Sequence, residues 1–349
     1  MLGSRLPLSV FVNFLRDVPI ILADFLVEFE LLMMLSKILL VFSLLGNACV
    51  SLQSFSDTRL GVDELHSRVI LKEPRLRSFH GNGPFSVSEK RGRELAIDFN
   101  NTLVIDHFYP QTIEKIPVIF ITHGNYSSRD AHNAQARYLA SWGFHVVVSD
   151  LPNRNQWLDN GSRLKALTEL IYRRPDILGR NADTSRMILV GHSFGGSASV
   201  IAARQGSPVL GLVLLDPAVV HKTVLKDLQD IDLPIILLGA DKLVFTSRGR
   251  DKFWKHAAGD ILEISVPNAT HDDAQGPSMF ARSALGVDPF TSRDHQKTFK
   301  SMLAVSVVGL ASSGTVDFAL NIFGREESEG LLQDLRFRPA KSTEPKDQI

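Results

Sequence analysis

Between residues 117 and 266, short apolar runs alternate with longer stretches in which apolar residues recur every three or four positions. The apolar runs are rich in β-branched residues and mostly continuous, which is typical of strands buried on both faces of a parallel sheet. These runs predict strands at 117–122, 145–149, 186–190, 212–215, 234–238 and 261–266. The longer stretches, together with one beyond them, predict helices at about 129–142, 162–174, 194–205, 248–258 and 294–311.

This alternation predicts an α/β fold, with a mostly parallel central sheet and helices on both faces. The segment 98–107 is predicted to add an earlier antiparallel strand. The predicted catalytic domain spans 94–324. A polar leader without a sustained period precedes it at 50–93, and a charged, proline-containing tail at 325–349 is predicted to be flexible.

The N-terminal segment 1–49 has the parts of a secretory signal. Lys37 is followed by an apolar run at 38–45 and then by small residues up to Cys49. Counted from Met1 the signal is unusually long, so Met33 or Met34 is the expected translation start. The alternative is a buried or membrane-anchoring helix at the N-terminus.

Export to the periplasm or the extracellular space is therefore expected. Cys49 is the only cysteine, and Ala48-Cys49 resembles the cleavage point of a bacterial lipoprotein, so a lipid anchor is an alternative fate. Glycosylation sequons at Asn125 and Asn268 would put glycans beside the site proposed below, which favours a bacterial source.

Composition excludes some classes of partner. Lysine plus arginine equals aspartate plus glutamate, at 38 residues each, and there is no basic stripe, so nucleic acid is not expected. No group of histidines and carboxylates has metal-ligand spacing, and no GxxxxGK phosphate loop occurs. Neither a metal nor an organic cofactor is expected.

The segment 188–199 reads ILVGHSFGGSAS and runs an apolar strand directly into glycines around Ser193. The spacing Gly191-x-Ser-x-Gly195 predicts a strand-to-helix elbow that exposes one hydroxyl at a tight bend. The spacing is weak evidence by itself, so residues at the other strand ends must support it.

Polar residues follow the ends of five predicted strands, in the order His123, Ser193, Asp216, Asp241 and His271. Ligands of open α/β sheets bind beyond the carboxyl ends of the strands, so these side chains are expected to meet at one edge. A serine hydroxyl is a poor nucleophile unless an adjacent base takes its proton, and a carboxylate can orient that base. The chain order Ser, Asp, His is that of an α/β-hydrolase.

Residues from about 95 to 310 resemble an α/β-hydrolase of the serine esterase/lipase kind. Within it, GHSFGG, LLDPA and the late histidine resemble platelet-activating-factor acetylhydrolases, chlorophyllases and dienelactone-hydrolase-like esterases. The resemblance implies Ser193 as nucleophile and His271 as base. It also implies backbone N–H groups of Phe194 and Asn125 as the oxyanion hole.

The identity of the triad acid has two candidates. Asp216 matches the position used by acetylhydrolase- and chlorophyllase-like members. Asp241 follows the strand that most often supplies the acid in the superfamily, but it comes one residue early and lacks the usual proline after it. Asp216 is the preferred assignment. His123 and His192 are interpreted as structural.

The predicted activity is hydrolysis of carboxylic esters through an acyl-enzyme, on a small-molecule or polymer-borne substrate. Only 17 residues (217–233) separate Asp216 from Pro234, so no large lid is expected. A thioesterase or lipid-type acetylhydrolase is the alternative among enzymes, and a non-catalytic binding protein on the same fold is the alternative of another class.

Overall fold

The structure is a computed structural model that describes residues 61–72, 74–152, 157–241, 247–276 and 291–340. All of these belong to one compact unit, Asp57–Ile349. The predicted signal segment, both alternative start sites and Cys49 lie outside the described residues.

The described residues contain one sheet with the strand order β1-β2-β4-β3-β5-β6-β7-β8-β9. Strands β3 to β8 run parallel, while β1, β2 and β9 are antiparallel to their neighbours. The strands are β1 (Val87–Ala96), β2 (Thr102–Pro110), β3 (Ile116–Thr122), β4 (His145–Ser149), β5 (Ala182–His192), β6 (Gly211–Leu215), β7 (Ile235–Ala240), β8 (Ile261–Val266) and β9 (Gln333–Arg338).

Helices cover both faces of this sheet. They are α1 (Val62–Leu71), α2 (Asn133–Ser141), α3 (Trp157–Arg173), α4 (Phe194–Arg204), α5 (Thr223–Asp227), α6 (Ser247–His256), α7 (Arg293–Ser313) and α8 (Asp317–Ser328). Helices α2 and α7 contact each other and the sheet on one side, whereas α3 and α4 pack together on the other. The described residues also form short 3₁₀ helices at Leu76–Phe79, Arg129–His132, Pro175–Ile177, Leu228–Asp230 and His271–Ala274.

The central strands are buried along their whole length because both faces are covered. Every residue of β3, β4, β6, β7 and β8 is buried. Phe120 and Leu189 from the sheet pack in one cluster with Leu164 of α3, Val200 of α4 and Phe253 of α6. Burying each such side chain contributes about 1.5–3 kcal/mol, so the centre of the sheet is the rigid base of the molecule.

Parts of the two segments that were predicted to lie outside the catalytic domain form helices and strands. The segment predicted as a featureless leader contains α1, in which Val62, Leu65 and Val69 are buried at helical spacing, and most of β1. The segment predicted as a flexible tail contains the end of α8 and strand β9, which pairs with β8. Both segments are rich in charged residues, and tertiary pairing, which local composition does not reveal, orders them.

Helix α7, with 21 residues, is the longest helix among the described residues. Neither it nor any other helix in the described part of the chain is both long and apolar enough to cross a membrane.

Buried histidines are expected to make the fold acid-labile. Burial lowers the pKa of His66, His132 and His145 to about 4 and that of His107 to about 2. In the unfolded chain these groups titrate near pH 6.5, as histidines usually do, so unfolding takes up protons below that pH. The free energy of unfolding should therefore be highest above about pH 6.5. It should fall by roughly 1–2 kcal/mol per histidine between that pH and pH 5.

Urea midpoints measured between pH 7.5 and 5 test this expectation. The His107→Gln variant should show a shallower decline, because it removes one buried group whose pKa is strongly lowered. Nε2 of His107 lies 2.9 Å from Nδ1 of His145. The exposed His221→Gln variant is the matched control and should decline like the parent. A midpoint independent of pH across this range would contradict the assignment of neutral buried imidazoles.

Candidate active site

Ser193 stands alone between strand β5 and helix α4, at a backbone conformation of φ 54° and ψ −121°. A positive φ is uncommon for a residue other than glycine and is sustained only where surrounding structure fixes it. The Ser193 N–H donates to the Leu215 carbonyl oxygen, and its own carbonyl accepts from the Gly196 and Ala218 N–H groups, each at 3.0 Å. These bonds hold the predicted elbow against the end of β6.

The glycines at the elbow permit close backbone packing. A Cβ on Gly191 would collide with the Gly195 carbonyl, and one on Gly195 would lie 2.6 Å from the Thr122 carbonyl oxygen. Real Cβ atoms are not found at such distances, so alanine at either position would push α4 away from β3 or β5.

Asp216 and His271 are in direct contact. Nδ1 of His271 lies 2.6 Å from Oδ2 of Asp216, the distance of a strong charge-assisted hydrogen bond. Asp216 is buried and has φ 39°, so a second non-glycine residue of the site has strained backbone. Burial raises the pKa of Asp216, but the hydrogen bond and charge of His271 and the charge of Arg250 outweigh it and hold this pKa below its usual value.

Asp241 lies near this pair but has a different partner. Its Oδ2 accepts the backbone N–H of Asn268 at 3.3 Å. The carboxylate that contacts the imidazole is thus the one at the end of β6, next to the strand that ends before Ser193.

His192 supports His271 from the strand that ends at Ser193. Its ring lies over the His271 ring with centroids 4.6 Å apart, and its Nε2 lies 3.2 Å from the His271 carbonyl oxygen. Since a carbonyl only accepts, Nε2 carries the proton in this contact. Burial lowers the pKa of His192 well below its usual value, so a neutral ring lies next to His271.

Asp273 fixes the loop that carries His271. Its Oδ2 accepts the Thr270 backbone N–H at 2.8 Å, and Oδ1 accepts the Ser292 N–H at 2.7 Å. Thr270 and Asp273 form a capping box around the 3₁₀ turn that begins at His271. Asp273 therefore caps the turn that carries His271.

The loop after β3 lies against the serine. A Cβ on Gly124 would be 3.3 Å from Oγ of Ser193. Nδ1 of His123 lies 2.7 Å from the Gly124 carbonyl, and Nε2 accepts the Leu151 N–H at 2.9 Å, which fixes one neutral tautomer and a structural role for His123. Asn125 follows directly, and its N–H as an oxyanion donor remains a prediction.

A cleft of about 200 Å³ opens beside this loop. Tyr126, which is exposed, and Trp157 form its aromatic walls, and Asp150 adds a carboxylate. Phe194 packs edge-on against Trp157 with ring centroids 5.6 Å apart. Phe194 therefore supports the Trp157 wall of this cleft.

No protein-family model matches the chain. It is similar to cutinase est1 of Thermobifida alba, 26% identical over 197 residues that cover 54% of this chain and 64% of the relative. Lipase 1 of Moraxella sp. (strain TA144) is 26% identical over 198 residues, covering 54% and 59%, and cutinase est2 of Thermobifida alba is 26% identical over 163 residues, covering 46% and 52%. The chain thus spans between about half and two thirds of the length of these relatives.

The chain has the α/β-hydrolase fold. The predicted fold class is confirmed, since the mostly parallel sheet carries helices on both sides and the relatives are a lipase and cutinases. The finer resemblance to platelet-activating-factor acetylhydrolases and chlorophyllases has no counterpart among them.

One charged residue of the candidate site was not predicted from the sequence. Nε of Arg250, on helix α6, lies 3.3 Å from Oδ1 of Asp216. No motif surrounds Arg250, and its contact depends on how α6 lies against the ends of β6 and β7, so no local signal indicated it. Within the described ranges, no group of three or more histidine, cysteine, aspartate or glutamate side chains is placed to hold a metal ion.

Proposed function

We propose that this chain is a serine hydrolase that cleaves carboxylic esters, with Ser193, Asp216 and His271 as its triad. The observation that supports it most is the 2.6 Å contact between His271, in the turn after β8, and Asp216, which follows β6 next to the strand that ends at the strained Ser193. The similarity to cutinases and a lipase supports ester hydrolysis as the reaction class.

In the proposed reaction, His271 takes the proton of Ser193 as Oγ attacks the ester carbonyl. Asp216 holds the imidazole in the tautomer with the proton on Nδ1 and stabilises the imidazolium. The Phe194 N–H, at the start of α4, and the Asn125 N–H then donate to the tetrahedral oxyanion. His271 returns the proton to the leaving alcohol, and a water activated by the same base releases the acid from the acyl-enzyme.

We infer a small substrate group from the cleft beside Gly124, the glycine that lies against Ser193. Its volume of about 200 Å³ is below the range of about 300–1,000 Å³ typical of sites for drug-sized ligands. Between Asp216 and Pro234, α5 and one 3₁₀ turn are the helical elements, so this connection adds no large lid. A short ester, or one ester unit of a polymer, is the expected substrate.

A lipid-type acetylhydrolase or thioesterase is the second candidate. The position of Asp216 after β6 favours this second candidate. Acetylhydrolase- and chlorophyllase-like members are expected to have their acid at this position. A preference for acetyl groups on a phospholipid-like alcohol, or for thioesters over matched oxygen esters, would select this candidate.

Export, with Cys49 as the candidate site of lipid attachment, remains part of the proposal. It rests on the composition of residues 33–49, which lie outside the described residues. Partners other than the ester substrate are not proposed.

Covalent labelling with a fluorophosphonate tests the proposal directly. An activated serine oxygen displaces fluoride from phosphorus, so the protein should gain one phosphonyl group per chain, and peptide mapping should place it on Ser193. Prior acid unfolding should abolish labelling, because an unactivated serine does not react. Hydrolysis of p-nitrophenyl esters of graded acyl length, run in parallel, gives the substrate preference.

Absence of both labelling and ester hydrolysis in a folded sample would overturn the proposal and favour a binding protein on a hydrolase fold. Labelling at another serine would overturn the assignment of Ser193 alone.

A further inference from the structure

The carboxylate of Asp216 lies between two cationic or basic groups. Oδ2 meets His271, while Oδ1 accepts the Ala240 N–H at 3.2 Å and lies 3.3 Å from Nε of Arg250. The side chains of Asp216 and Arg250 are only 6% and 12% exposed, so water screens this ion pair weakly. Each carboxylate oxygen thus has its own partner.

The guanidinium of Arg250 is held in one position by two further hydrogen bonds. Nη1 donates to Oγ of Ser265 at 2.5 Å, and Nη2 donates to the Ala240 carbonyl at 2.9 Å. The end of β7 has a glycine where this group lies, and a Cβ on Gly239 would overlap Nη1 and Cζ of Arg250. The sheet therefore leaves a space that the guanidinium fills.

A row of ion pairs extends from Arg250 to β9, away from Asp216. Nη1 of Arg250 lies 3.6 Å from Glu263 on β8, and Glu263 accepts Nη2 of Arg336 on β9 at 2.6 Å. Arg336 also binds Asp251 at 2.8 Å. The charges alternate along the row Asp216, Arg250, Glu263, Arg336 and Asp251, so each buried carboxylate lies beside an arginine.

The other groups near the pair are few in the described part of the chain. His192 stacks on His271 from β5 and is neutral, since burial lowers its pKa. From its own turn, His271 is followed by Asp272 and the capping Asp273. Arg250 is thus the cation that contacts the far side of the Asp216 carboxylate.

We propose that Arg250 is a positioning residue for the Asp216–His271 pair. Its guanidinium holds Oδ1, so that Oδ2 stays directed at the imidazole. Its charge sets the pH at which the pair takes up a proton, because a cation near the shared carboxylate opposes a second positive charge on the imidazole. This role in catalysis rests on the proposed function.

A cavity beside Arg250 makes the role testable by chemical rescue. It has a volume of about 340 Å³ and is lined by Arg250, Glu263, Ser265 and Arg336, with Asp251, Asp334 and Leu335 at its edge. In an Arg250→Ala variant the vacated space would join this cavity. A free guanidinium ion could then reach the position next to Asp216.

The first readout is kinetic. Arg250→Ala should lower kcat for a p-nitrophenyl ester about 10–100-fold with KM changed less than about threefold, because the misplaced carboxylate affects the chemical step. The acid limb of the kcat profile should move to higher pH, since the pair loses a nearby cation. Guanidinium chloride at about 20 mM, far below unfolding concentrations, should recover at least about tenfold in kcat.

The controls separate charge from structure. Sodium chloride or urea at the same concentration should give no recovery, and Arg250→Lys should keep the acid limb near that of the parent. Arg204→Ala removes an arginine paired with Asp230 on the surface and should behave like the parent with and without guanidinium. Circular dichroism establishes that each variant is folded.

The second readout needs no activity. The His271 ring protons, followed by NMR in the full chain during a pH titration, report the protonation of the pair in the parent and in Arg250→Ala. An upward shift of the midpoint that guanidinium reverses is the expected result. An unchanged midpoint in a folded variant would overturn the inference even if the chain hydrolyses no ester, and lack of ester hydrolysis by the parent would overturn the proposed function alone.

Discussion

Alanine in place of Ser193 should lower kcat for ester hydrolysis by a factor of about 10⁶, because the variant has no oxygen to form the acyl-enzyme. Folding should change little, since alanine and serine have similar costs at φ 54° and the backbone bonds of the elbow do not use the hydroxyl. Initial rates on a p-nitrophenyl ester, corrected for the uncatalysed rate, measure the effect. Binding of a non-hydrolysable analogue should be retained.

Ser199→Ala is the matched control on the same helix. The Ser199 hydroxyl donates to the Gly195 carbonyl at 2.9 Å, within α4, so its loss should change kcat less than about threefold. Turnover by the Ser193→Ala variant at the parental rate would mean that Ser193 is not the nucleophile.

The fold was largely predictable because its central strands are buried on both faces. Continuous apolar runs such as 145–149 and 261–266 coincide with the observed strands β4 and β8. Strand β1 and strand β9 were not predicted, since exposed charged residues dominate them and their stability comes from pairing with β2 and β8. The local pattern of apolar residues therefore predicts which strands are buried, but it does not predict which polar segments pair as edge strands.

For the site, the sequence indicated which residue types stand at strand ends, but not which of them touch. Asp216 and Asp241 both follow apolar strands and both precede His271. Their difference lies in three dimensions: Asp216 turns its carboxylate to Nδ1 of His271, while Asp241 binds the Asn268 N–H. Arg250 had no signal in the sequence, because helix packing alone brings it to Asp216.

Replacing each candidate acid by the corresponding amide should lower kcat by very different factors. Asp216→Asn should lower kcat about 10⁴-fold, because an amide next to Nδ1 favours the wrong imidazole tautomer and cannot balance the imidazolium charge. Asp241→Asn should change kcat less than about threefold, since an amide oxygen can still accept the Asn268 N–H.

The comparison is sharpest when both variants are measured with the same ester at a pH above the acid limb, where the base is deprotonated in the parent. Fluorophosphonate labelling should also slow strongly in Asp216→Asn and stay at the parental rate in Asp241→Asn, because the label reports activation of Ser193 without later steps. Loss of turnover in Asp241→Asn alone would move the triad acid to the end of β7. The 2.6 Å contact between Asp216 and His271 would then belong to a resting arrangement of the base and not to the one that performs the reaction.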